Sequence, residues 1–430
     1  MRWGSPVPSA RLPALDGRTA PVTGGRAVIR SAHRMALASI LAMAALPATA
    51  ESKLEPPDLE RYLRWGPLRV RPGIELTNLG YDDNILANDR QKVDDYTATW
   101  SPKVEGLVLF GSRAFVTFQE KLEFTAYLDN DDQNFHNQKG SARLTVPLRK
   151  VGFFSDVALN RTKQRPPDLQ SIRPEQDEDG LAFGVIFRPG WRTEIEIGHG
   201  TTDFNHSDEV ARVLDRDERR DSLEVDHHLL GRTWLTLTAL RETTDFDDVT
   251  QDGKDTEAWS VLPGVKFAEG GSLTGSARVG WAELETDDRS FPDFDDVVGD
   301  LELAYRLNRR TTFKLEGRRA PEFSVFEERV FFLYTRYTAR VTYFMNRSIG
   351  FVAGGRTGKL DFPGVPGERD REDRINAYDV GLRLRLAESS VGRRVEYSIK
   401  VGRYRRDSSL PDGQQDISRT TFSFGAIVGY

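Results

Sequence analysis

From residue 271 onward, basic residues recur at alternate positions of short runs. They are Arg278, Arg306, Lys314, Arg318, Arg336, Arg340, Arg356, Arg383, Arg385, Arg394 and Lys400. Asp300, Glu302, Glu316, Asp379 and Glu396 belong to the same alternating set. Fixed charges of this kind make and break no bonds. Eleven cations against five anions along a water-filled wall would favour anionic solutes. Ladders of ion pairs between neighbouring strands account for the same residues equally well.

Covalent chemistry has much less to stand on. A nucleophile needs a base beside it, usually histidine, and the histidines after residue 50 are His136, His199, His206, His227 and His228. His227 and His228, adjacent on one strand, point to opposite faces and cannot chelate one metal together. There is no G-x-S-x-G elbow, no H-E-x-x-H pair and no cysteine. No enzyme activity, no metal site and no cofactor are expected. Aspartate clusters recur at Asp82-Asp83, Asp129–Asp132, Asp245–Asp248 and Asp293–Asp296. Such oxygens can bind calcium or bridge to lipopolysaccharide phosphates. Their spacing matches no calcium loop, so solvated loop charge is the better explanation.

The charged runs need elements to hold them, and the pattern around them is that of strands. Tyr378, Val380, Leu382, Leu384 and Leu386 alternate with Asp379, Gly381, Arg383 and Arg385, and a period of two means successive side chains on opposite faces. The same alternation recurs near 67–79, 95–109, 112–127, 137–147, 150–161, 179–188, 190–203, 219–230, 232–245, 255–267, 271–284, 296–307, 309–319, 328–345, 347–359, 373–387, 392–406 and 416–430. Eight links are short, among them Phe110-Gly111, Pro189-Gly190 and Asn308-Arg309, and the nine that alternate with them are long and polar, such as 203–220 and 286–296. Tight periplasmic turns alternating with longer extracellular loops are the pattern of an outer-membrane barrel. A propeller would need four short strands per repeat of this length, and only two longer ones fit.

Composition agrees. Hydrophobic residues are 38% and charged residues 29% of 430, and no apolar run reaches the roughly 18 to 20 residues of a transmembrane helix. A polar chain can still cross a membrane when half of each strand faces water. The expected fold is all-β: an antiparallel up-and-down transmembrane barrel of about 18 strands (16 the alternative count), both termini periplasmic. Pro102 and Pro263 fall inside strands, where each removes a ladder donor, and are read as bulges or kinks. Glu120 falls on the lipid face of an otherwise apolar strand.

Residues 1–50 read as an N-terminal extension and secretory signal peptide. Arg26, Arg30 and Arg34 precede the apolar run 35–46, and Ala48-Thr49-Ala50 follows, which places cleavage after Ala50. Removing residues 1–50 takes away six basic residues and one acidic one. It leaves 54 Lys and Arg against 65 Asp and Glu, a formal charge of −11, so nucleic acid is not an expected partner. Residues 51–66 are a short periplasmic segment and 67–430 the barrel.

The end of the sequence, Phe422, Phe424, Val428 and Tyr430 at alternating positions, resembles the C-terminal signal read by the barrel-assembly machinery. Trp65-Gly66-Pro67-Leu68-Arg69-Val70-Arg71-Pro72-Gly73-Ile74-Glu75-Leu76, running into Tyr81-Asp82-Asp83-Asn84-Ile85, resembles the N-terminal strand and loop of the putative β-barrel porin 2 family. Members of that family often accompany exopolysaccharide gene clusters. The resemblance implies an outer-membrane channel that exports a polysaccharide, lodged in lipid and lipopolysaccharide and partnered by a periplasmic polysaccharide export protein. Two alternatives stand beside it. One is a diffusion or uptake porin for small solutes, which would need a constricting inward loop. The other is a structural or adhesive barrel with a plugged lumen. With the basic set facing water, replacing Arg383 and Arg385 by Glu is expected to reduce anion preference without disturbing assembly.

Overall fold

Wherever the sequence alternates, the chain is extended. The computed structural model describes residues 52–430 except 167–172, 248–252, 269, 327–328, 365–370, 389–393, 411–415 and 430. A short strand β1 (Leu63–Trp65) precedes β2 (Leu68–Asp82), β3 (Asp95–Phe110), β4 (Ala114–Tyr127), β5 (Phe135–Pro147), β6 (Val151–Lys163) and β7 (Glu175–Phe187). Next come β8 (Thr193–His206), β9 (Arg216–Leu230), β10 (Thr233–Phe246), β11 (Thr256–Phe267), β12 (Leu273–Thr286) and β13 (Phe294–Arg306). The last are β14 (Thr311–Phe323), β15 (Phe331–Phe344), β16 (Ile349–Phe362), β17 (Arg371–Glu388), β18 (Arg394–Ser408) and β19 (Ile417–Gly429). From β2 onward each strand pairs antiparallel with its chain neighbour. β19 then pairs with β2, Phe422 opposite Tyr81 and Val428 opposite Ile74. This closes an 18-stranded barrel with β1 folded back on the start of β2. Closure leaves no unpaired sheet edge, the condition for strands in hydrocarbon.

The two faces follow the alternation. Tyr378, Val380, Leu382, Leu384 and Leu386 are 40–63% exposed, and Trp100, Phe153, Phe183, Trp259, Trp281 and Tyr337 continue the apolar belt around the outside. Gly111 and Gly231 take positive φ in two of the short turns, a conformation that costs glycine no steric clash. Phe422, Phe424 and Val428 lie on alternate, outward positions of β19. Tyr430, the proposed signal peptide and its cleavage point lie outside the described residues.

Some expectations are corrected. Strands run further at the long-loop end: β7 begins at Glu175 and β9 at Arg216, so the expected loop 203–220 contracts to residues 207–215, with a 3-10 turn at Glu209–Leu214. These strand ends are polar on both faces and erase the apolar alternation, yet cross-strand pairs such as Arg219–Asp245, at 2.9 Å, hold them. Pro102 and Pro263 cause no register slip. The ladder to one neighbour simply skips them, from Trp100 to Lys103 and from Val261 to Gly264. Bulges occur instead between Thr77 and Gly80, beside Asn78 at φ 54°, and between Arg385 and Ala387. Glu120 does face outward, opposite Gly140, and Gln138 Nε2 donates to it at 2.9 Å.

Candidate functional site

The lumen wall is set by register, because residues opposite one another across a ladder share a face. Arg278 stands opposite Asp300, Arg318 opposite Arg336, Lys314 opposite Arg340, Thr338 opposite Arg356, and Arg385 opposite Glu396. Arg306 is opposite Thr312, Arg383 opposite Gly350, and Lys400 opposite Gly381. All of these lie on the face opposite to the exposed apolar belt. Arg394 begins β18, and its side chain lies outside the described residues.

Most of these cations are paired. Arg278 Nε lies 3.0 Å from Asp300, Lys314 Nζ 3.3 Å from Glu302, Arg318 3.5 Å from Glu322 and Arg340 3.4 Å from Asp379. Arg383 and Arg385 share Glu396, whose side chain is only 3% exposed. Exchanging both for Glu would remove two cations from a buried carboxylate, so an effect on assembly is expected beside the one on anion preference. Among the described residues no ion pair involves Arg306, Arg336 or Arg356; Arg336 instead lies 5.7 Å over the Tyr334 ring.

At the outer end the wall bends inward. The β13–β14 ladder stops at Gly299 opposite Arg319, while β14 and β15 stay paired out to Phe323 opposite Phe331. The tip of this hairpin therefore leaves β13 and leans over the lumen. Phe323 meets Phe246 of β10, ring centroids 5.5 Å apart. The Arg216 guanidinium of β9 sits 4.9 Å over the Phe323 ring, although β10, β11, β12 and β13 intervene in the sheet. Phe331 packs on Phe294, in a cluster with Leu284 and Val298. Lys254 Nζ donates to the Phe326 carbonyl at 3.1 Å, and Arg329 donates to that of Pro363 at 2.6 Å. Beneath lie Asp373 and Arg406, fully buried and hydrogen-bonded to each other.

The opposite side of the lumen is acidic. Glu194, Glu196, Glu224 and Asp226 face inward near the short-turn end of β8 and β9, with Lys53 seated among them. Sequence reasoning did not pick out these residues or the hairpin tip.

The family described as "Putative beta-barrel porin 2" matches residues 63–427. The chain belongs to this family. It is a porin-type barrel of the bacterial outer membrane. No curated protein matches this porin. Among solved structures it is similar to the outer-membrane protein OpdK of Pseudomonas aeruginosa, also solved with vanillate, at 14% identity and a TM-score of 0.47, covering 84% of this chain and 99% of that one. It is similar as well to OccK2 (OpdF) of the same organism in complex with glucuronate, at 12% identity and a TM-score of 0.47, covering 84% and 97%. A third is OccAB3 of Acinetobacter baumannii, at 12% identity and a TM-score of 0.46, covering 84% and 99%. The expectation of polysaccharide export is corrected. The porin's lumen is narrowed by the β14–β15 hairpin at one end and by residues 52–55 at the other, which opposes the passage of a polymer.

Proposed function

We propose that this porin is a diffusion channel for small hydrophilic solutes, with a preference for small anions such as carboxylates. The observation that carries the reading is the inward-leaning β14–β15 tip, which reaches across three strands to Phe246 and across four to Arg216. Such a constriction admits small molecules and opposes a polymer. Arg306, Arg336 and Arg356 supply the preference, since a guanidinium without a carboxylate partner keeps its field and its hydrogen-bond donors for a passing anion.

Liposome swelling with the purified barrel tests this. Sugar acids of one ring should enter faster than neutral sugars of the same size, and oligosaccharides should be excluded. Equal entry of long oligosaccharides, or no swelling with any solute, would contradict the reading.

A further inference from the structure

The acidic side of the lumen has a feature that passage of solutes does not require. Glu194 and Glu196 on β8 stand directly opposite Asp226 and Glu224 on β9. Two inward rungs therefore pair carboxylate with carboxylate, and like charges so placed repel. Glu194 and Asp226 are 8% and 6% exposed, so water alone cannot relieve the repulsion. Part of the relief is local: Lys266 lies 3.2 Å from Asp226, Arg143 3.0 Å from Glu196 and Arg188 3.5 Å from Glu194.

The rest comes from a segment about 140 residues away in sequence. Lys53 Nζ lies 3.1 Å from Glu196 and 3.0 Å from Glu224. The Lys53 backbone N–H and Ser52 Oγ donate to Glu194 at 3.1 and 2.6 Å. Leu54 packs against Phe154 and Ile186 and anchors the segment to the wall. Even so, the buried Asp226 Oδ1 accepts no hydrogen bond. A buried acceptor left open in a cage of carboxylates points to room for one more donor.

We propose that Glu194, Glu196, Glu224 and Asp226 form a binding site for a primary ammonium group, filled by the chain's own Lys53, and that residues 52–55 are a displaceable strap on the lumen wall. The inference rests on the channel reading above. An alkylammonium suits the site because its three N–H donors can reach several carboxylates at once, whereas a quaternary ammonium has none. Burial opposes the Lys53 charge, but the carboxylates of Glu196, Glu224 and Asp226 outweigh it and hold the ammonium above the ordinary lysine range. Seated, the strap neutralises the acidic wall and leaves the field of the unpaired arginines dominant. Displaced, it exposes carboxylates to the lumen and admits cations.

Reversal potentials in planar bilayers under a KCl gradient test the site. Lys53→Ala should lower the chloride-to-potassium permeability ratio about twofold or more. n-Butylammonium at millimolar concentration should restore the parent value, and tetraethylammonium should not. Lys53→Arg, which keeps charge and donors, should behave as the parent. If Lys53→Ala does not assemble, Lys53→Gln carries the same comparison. A Lys53→Ala channel with the parent's conductance and reversal potential overturns the proposal, as does an altered one that butylammonium fails to restore. A parent that conducts no ions would overturn the channel reading itself, and this one with it.

Discussion

Along β12 to β18 most inward cations meet a carboxylate on the next strand or a few residues along their own, as Arg278 meets Asp300 and Arg318 meets Glu322. On β8 and β9, inward carboxylates face one another, Glu194 with Asp226 and Glu196 with Glu224. The first wall balances most of its charge within its own strands and leaves a few cations, Arg336 and Arg356 among them, without a carboxylate partner among the described residues. The second is completed by Lys53, outside the barrel strands altogether. Charge in a lumen can thus be balanced by pairing across rungs or by docking a remote segment. The first arrangement is stable by itself, and the second can be undone without unfolding the sheet.

The largest expected effect comes from breaking the self-contained wall. Exchanging both Arg383 and Arg385 for Glu takes two cations from the buried Glu396 and sets carboxylates in their place, a loss of about 3–5 kcal/mol where a buried ion pair is broken. The double variant should yield little folded barrel, read as loss of the heat-modifiable band on a gel. Normal yields would mean that these pairs are ornamental.

A smaller and cleaner effect is expected where the wall carries cations without partners. Among the described residues, Arg336→Glu combined with Arg356→Glu disturbs no ion pair, and folding should stay intact. It should lower the chloride-to-potassium permeability ratio about threefold or more. A reversal potential equal to the parent's would show that the field in the lumen is set elsewhere.

The smallest effect separates the two walls by pH. Because Lys53 is held above the ordinary lysine range, its contact with Glu196 and Glu224 is fully present below that range. It is lost only as pH rises through the raised value. The difference in anion preference between the parent and Lys53→Ala should therefore stay level from about pH 7 to about pH 10. A steady decline through that interval would argue that the strap's ammonium is not caged.

The strands were legible because lipid on one side and water on the other impose a period of two that nothing else in the chain mimics. Tyr378 to Leu386 and the alternating Asp379 to Arg385 show it without ambiguity, and register then placed every described member of the basic set on the inner face. Legibility failed where the selecting environment is absent. Glu175 and Arg216 begin strands whose first residues are polar on both faces, so these ends read as loop. Phe323 and Phe331 look like ordinary belt residues in sequence; only the early end of the β13–β14 ladder turns them over the lumen. Ser52, Lys53 and Leu54 form no periodic pattern, and their partners lie a hundred or more residues away. The polysaccharide expectation came from family resemblance rather than from any residue in the wall, and the wall did not support it.

The most direct measurement is the single-channel current and reversal potential of the purified barrel in a planar bilayer under a KCl gradient. Discrete, stable openings with chloride more permeant than potassium are expected. A barrel that inserts but passes no current, or one that prefers potassium while Lys53 is intact, would contradict the channel reading.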